Sequence, residues 1–98
     1  MNLTYEIRFD PKALAELKKL DRASQERITS FLFENIQRTD KPRRLGKALT
    51  GGKIKLWRYR TGAFRVVCQI DDVEKIVRVL RVGTARMSTA ERLGSGSI

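Results

Sequence analysis

The run Ile54-Lys55-Leu56-Trp57-Arg58-Tyr59-Arg60-Thr61-Gly62-Ala63-Phe64-Arg65-Val66-Val67-Cys68-Gln69-Ile70 decides the architecture. Ile54, Leu56 and Trp57 open a strand, Tyr59 to Ala63 turns the chain, and Phe64 to Ile70 runs back as a second, largely aliphatic strand. Asp71-Asp72 marks the next turn, and Ile76 to Val82, interleaved with Lys75, Arg78 and Arg81, forms a third strand. The expected product is an antiparallel meander. Because strand side chains alternate, Lys53 and Lys55 share the face away from Ile54 and Leu56.

Upstream, Leu3, Tyr5, Ile7 and Phe9 alternate with Thr4, Glu6 and Arg8, the period of a half-buried strand. Asp10-Pro11 supplies a cap and a first-turn proline, and Leu14, Leu17 and Leu20 then follow at helical spacing with Lys18 and Lys19 outward. Asp21 restarts the pattern, and Ile28, Phe31, Leu32 and Ile36 carry a second helix to about Arg38. So short a connection implies an antiparallel helix hairpin that needs a sheet beneath it. Thr39 to Gly52 shows neither period and reads as a basic loop. After Gly83 helical character is weak, and Gly94-Ser95-Gly96-Ser97-Ile98 has the composition of a flexible end. The expected class is α+β: an N-terminal strand, two helices and a three-stranded meander in one domain over residues 1–83, then a frayed tail over 84–98.

Twenty-one Lys and Arg against eleven Asp and Glu give a formal charge of +10 on 98 residues. With 41% hydrophobic residues the chain is too apolar for a disordered basic tail, so the charge sits on a folded surface and points to a polyanionic partner. The length suits one small domain rather than a multidomain enzyme. A single Cys68 and no His exclude zinc fingers and Ser-His-Asp chemistry. Cys68 lies in an apolar run and reads as an inert buried thiol. The first residues lack a basic segment followed by an apolar run, and no stretch approaches the ~20 apolar residues of a membrane span. A cytoplasmic protein with no membrane partner is expected.

The meander gathers Lys53, Lys55, Arg58, Arg60, Arg65, Arg78 and Arg81. Such a face grips phosphates, although a solvated surface accounts for it equally well. RNA cleavage without His or metal can run on cations. It requires a 2′-hydroxyl to lose its proton, the phosphorane oxygens to be stabilised and the leaving 5′-oxygen to be protonated. Arginine suits the second task, and a lysine with a lowered pKa suits the first. A plainly structural Arg65 would instead point outward and pair with Asp71 or Glu74. Trp57, Tyr59 and Phe64 are candidates to stack on unpaired bases, with core packing the alternative.

The segment Leu56 to Cys68 resembles the core motif of the RelE/ParE toxin superfamily, an Arg-x-Gly-x-Tyr-Arg turn followed by an aliphatic strand. The resemblance extends over residues 3–83 through the first strand, the Pro-initiated helix hairpin, the loop motif Leu49-Thr50-Gly51 and Val82-Gly83. It implies a type II toxin of the RelE branch, an endoribonuclease that enters the A site of the 70S ribosome, cuts mRNA and is neutralised by a RelB-like antitoxin. By position Arg65 matches the arginine that contacts the scissile phosphate. Lys53, Lys55 and Arg58 are candidates for the catalytic basic pair, and Arg60, Arg81, Arg86, Lys47 and Arg44 for RNA binding. No metal or cofactor is implied.

Phe64 replaces the usual Tyr of the motif, and Ala63 a frequent Asp. A larger departure follows Val-Gly, where the family commonly has His-Arg-x-x-Val-Tyr and this chain has Thr84-Ala85-Arg86-Met87-Ser88-Thr89. Codons exist for Gly83 to Thr89 that read His-Arg-Ala-Asp-Val-Tyr in a shifted frame, so residues 84–98 are expected to be a non-native tail left by a lost base. Three readings result: an mRNA endonuclease, intact or attenuated; a ParE-like inhibitor of DNA gyrase; and an inert fold that only binds its antitoxin.

Overall fold

The computed structural model describes residues 3–49 and 55–84. The chain runs through β1 (Glu6–Phe9), α1 (Pro11–Lys18), α2 (Arg22–Asn35), β2 (Lys47–Leu49), β3 (Leu56–Thr61), β4 (Phe64–Asp71) and β5 (Ile76–Thr84). The Asp10 side chain accepts a hydrogen bond from the Lys12 amide at 3.3 Å, and Pro11 fills the first turn, so α1 starts where its capping residues place it. Past α2, Tyr5 and the 38–39 segment exchange backbone bonds, Tyr5 N to Thr39 O and Arg38 N to Tyr5 O, each 2.8 Å. The end of the hairpin is thereby tied to the start of the sheet.

The five strands form one mixed sheet in the order β1-β5-β4-β3-β2. This corrects the expected sheet of a first strand plus a three-stranded meander. The meander is present as β3-β4-β5, and β1 joins it parallel to β5, pairing Glu6 to Phe9 with Ile76 to Val79. The fifth strand, β2, lies within the segment read as loop. Three residues are too few to show a period of two, and β2 exists only through its pairing with β3. The first hairpin turn is also tighter than expected: Trp57, Tyr59 and Thr61 keep alternating to the end of β3, and only Gly62-Ala63 turns. Gly62 has φ +61°, a conformation open to glycine. Thr84, placed in the tail by the sequence, is the last residue of β5.

Both helices lie on one face of the sheet. Ala13, Leu17, Ile28, Leu32 and Ile36 pack there on Tyr59, Val66, Cys68, Val77, Val79 and Val82, all buried. A bulge where β5 meets Val67 and Cys68 inserts Leu80, so Val79 and Val82 both turn inward although three residues apart. Because β1 is four residues long, no strand among the described residues lies beside the outer edge of β5 beyond Val79, and Glu16 of α1 takes that place. Its carboxylate accepts from the Val82 amide at 2.8 Å and from Arg81 Nε at 2.9 Å.

Candidate nucleic-acid interface

Strand register converts a scattered set of cations into a pattern. On the sheet face turned away from the helices Lys47 stands opposite Arg58, Arg60 opposite Arg65, and Arg8 opposite Arg78. Like charges directly opposite one another destabilise a sheet, so three such pairs on one face mark a surface shaped by something other than stability. Lys47, Arg60, Arg8 and Arg78 are exposed, whereas Arg58 and Arg65 are half-buried. Arg58 Nε is buried and makes no hydrogen bond, which leaves one donor of a half-buried guanidinium unused. Arg65 lies between Arg60 on β3 and Gly83 on β5. Asp71, named above as one structural partner for Arg65, accepts from the Val73 and Glu74 amides with Oδ1, at 3.0 and 2.9 Å.

The other predicted residues scatter around this face. Lys55 is exposed just before β3, and Arg44 is exposed in the loop before β2. Arg81 is drawn toward α1 by its bond to Glu16. Lys53 and Arg86 lie outside the described residues. Among the described residues, no group of three or more His, Cys, Asp or Glu is placed to hold a metal ion, and no helix is long and apolar enough to cross a membrane.

The aromatic residues of β3 turn inward. Tyr59 is fully buried and its hydroxyl donates to the Pro42 carbonyl, so of its two readings core packing holds and base stacking does not. Burial also raises its pKa, so it stays a protonated donor. Trp57 is half-buried and donates its indole N–H to the Leu45 carbonyl at 2.7 Å. Together they hold residues 42–45 against β3, and Gly46 makes the close approach possible. Its φ is +86°, and a Cβ there would lie 2.4 Å from the Arg58 carbonyl oxygen. Burial pushes the Cys68 thiol up to about 12, consistent with an inert core thiol.

The far end of the same loop is latched by charge. Arg43 grips Asp72 through two bonds of 3.0 Å, and the Tyr5 hydroxyl donates to the same carboxylate at 2.5 Å. The Arg43 hydrogen bond, then that of Tyr5, holds the Asp72 carboxyl below its ordinary range. In the other direction, the bond to Asp72 raises the Tyr5 pKa. Lys75 lies over the Tyr5 ring at 5.1 Å. None of this was legible in the sequence, because Tyr5, Arg43 and Asp72 are far apart along the chain.

A further aromatic residue, not among those the sequence offered for base stacking, comes from α2. Phe31 is half-buried, packs against Tyr59 with ring centroids 6.0 Å apart, and lines a cleft of about 360 Å³ with Leu45, Gly46, Lys47, Arg58 and Arg60. The helical spacing that identified Phe31 as a core residue is correct for one side of the ring only.

The family model for the ParE toxin of the type II toxin–antitoxin system parDE matches residues 7–89. A RelE-like toxin protein of Escherichia coli is 33% identical over 97 residues, covering 95% of this chain and 96% of the relative. Among solved structures, the toxin–antitoxin complex RelBE2 of Mycobacterium tuberculosis superposes with a TM-score of 0.75 at 31% identity, covering 83% of this chain and 98% of the other. The intact Escherichia coli RelBE complex gives 0.68 at 28% identity, covering 84% and 98%.

Proposed function

We propose that this chain, which belongs to the ParE toxin family of type II toxin–antitoxin systems and is RelE-like within it, cleaves mRNA in the ribosomal A site of the cytoplasm without a metal, and that a RelB-like antitoxin neutralises it. The observation that carries this reading is the paired cations on the sheet face, Arg60 opposite Arg65 and Lys47 opposite Arg58. A phosphate seated between two opposed guanidiniums relieves their repulsion. The relief is largest when the phosphate gains charge, as it does on the way to a phosphorane.

In the reaction the 2′-oxygen bonds to phosphorus, the bond from phosphorus to the 5′-oxygen breaks, and the 2′-hydroxyl proton leaves while the 5′-oxygen gains one. The products are a 2′,3′-cyclic phosphate and a 5′-hydroxyl. Arg65 and Arg58 stabilise the phosphorane oxygens, and Lys55 and Lys53 are the candidates for proton transfer. Arg60, Lys47, Arg44, Arg81 and Arg86 hold the flanking backbone. Solved relatives in complex with antitoxins support an antitoxin partner.

The test is cleavage of a defined mRNA programmed in the A site of purified ribosomes. Three forms are compared: this chain, its Arg65→Ala variant, and a version carrying His-Arg-Ala-Asp-Val-Tyr at residues 84–89. Cleavage that Arg65→Ala reduces by two or more orders of magnitude supports the assignment. Cleavage by the restored version alone identifies this chain as an attenuated toxin with a non-native tail. Failure of all three removes the nuclease reading and leaves gyrase inhibition as the next activity to measure.

A further inference from the structure

β2 begins at Lys47, opposite Arg58, so among the described residues the outer edge of β3 from Tyr59 to Thr61 has no strand beside it. The cleft of about 360 Å³ lies at this edge, between Phe31 of α2 and the Leu45-Gly46 approach. Among the described residues its lining combines one aromatic ring, three cationic side chains and no carboxylate. One side of the Phe31 ring is held by Tyr59. Arg58 and Arg60 belong at once to the cleft and to the paired cations of the sheet face. A ring fixed on one side beside convergent cations suits a planar base carrying a phosphate, and the volume lies within the range of small-ligand sites, ~300–1,000 Å³.

From this geometry we infer that the cleft is a nucleotide subsite in which Phe31 stacks on one unpaired base of the RNA while Lys47, Arg58 and Arg60 hold its phosphates. The inference rests on the single-stranded RNA reading above and extends it to a residue outside the meander. It places the base of a nucleotide next to the phosphate held at Arg60 and Arg65, so part of the sequence preference is set by α2. An acidic peptide would satisfy the cations but would gain nothing particular from a flat ring.

The cleft carries its own reporter. Trp57 is the only tryptophan and donates to the Leu45 carbonyl on the cleft wall. Titrating the chain with AMP, UMP and ribose 5-phosphate while following Trp57 fluorescence measures the contribution of the base alone. The nucleotides are expected to bind roughly tenfold more tightly than ribose 5-phosphate, the low end of base–aromatic stacking. Phe31→Leu, which keeps an apolar side chain against Tyr59, is expected to erase that tenfold difference while leaving ribose 5-phosphate binding unchanged. Phe31→Tyr is expected to restore it, and Arg60→Gln to weaken all three ligands alike.

Equal affinity of the parent chain for AMP and ribose 5-phosphate overturns the inference, as does a Phe31→Leu variant that keeps the tenfold difference or loses ribose 5-phosphate binding as well. A Trp57 response to an acidic amphipathic peptide but to none of the nucleotides overturns it in favour of a peptide groove. Base-dependent binding through Phe31 in a chain that cuts no RNA would retire the nuclease reading and leave the subsite standing. Cleavage with no base preference at Phe31 would do the reverse.

Discussion

Arg60→Thr is expected to make the protein more stable and worse at binding RNA. Arg60 stands directly across from Arg65, and a like-charged cross-strand pair costs about 0.2–1 kcal/mol relative to a neutral one. Threonine also suits an exposed strand position. For a domain of this size 1 kcal/mol corresponds to about 4–8 °C in Tm, so the expected rise is about 1–8 °C at low salt. The repulsion is screened, because the Debye length falls to about 3 Å at 1 M salt. The difference between variant and parent should therefore shrink by half or more between 20 mM and 1 M NaCl. An RNA ligand reverses the order, since a ligand present at 100 times its Kd stabilises the parent by about 2.7 kcal/mol and the variant by less. Thermal melts of both proteins at two salt concentrations, with and without a short single-stranded RNA, test all of this. A variant that melts lower at low salt, or whose advantage is the same at 1 M, would show that the Arg60–Arg65 pair is not repulsive and refute the reasoning that singles out this face.

Other substitutions probe the supports of the site. Gly46→Ala forces a Cβ to within 2.4 Å of the Arg58 carbonyl at a positive φ, and urea denaturation is expected to show a loss of about 2 kcal/mol or more together with weaker RNA binding. Tyr59→Phe leaves the Pro42 carbonyl without its buried donor, at an expected cost of about 1–3 kcal/mol by the same measurement. Asp72 has a folded pKa below its unfolded value near 3.8, so its contribution to stability is present above that value and is lost as pH falls through the folded one. The Arg43–Asp72 pair is about half exposed, so that contribution is about 0.2–1 kcal/mol after screening. Asp72→Asn should flatten the acid limb of a stability–pH curve below about pH 4 and leave its slope at neutral pH unchanged.

Much of the fold was legible in the sequence because it is written in local periods. The alternation in Leu3 to Phe9, the aliphatic run in Phe64 to Ile70, the Asp10-Pro11 start signal and the three- and four-residue spacing of Ile28, Leu32 and Ile36 all depend on neighbours along the chain, and β1, β4, α1 and α2 appear where these patterns lie. The charge and the motif around Arg65 were equally visible, since composition and order suffice to read them. Tertiary structure decided what depends on distant partners. β2 has no pattern of its own and forms because β3 offers an edge. β1 pairs parallel with β5, a partner far along the chain that no local period reports. Glu16 acts as a surrogate strand for Val82 only because β1 stops short. Phe31 shows the division most clearly. A period of 3.6 identifies which side of a helix is apolar, and it placed this ring on the core side. Whether the far side of that ring meets more core or an open cleft with three cations is set by where β2 begins, which depends on packing rather than on spacing along the helix.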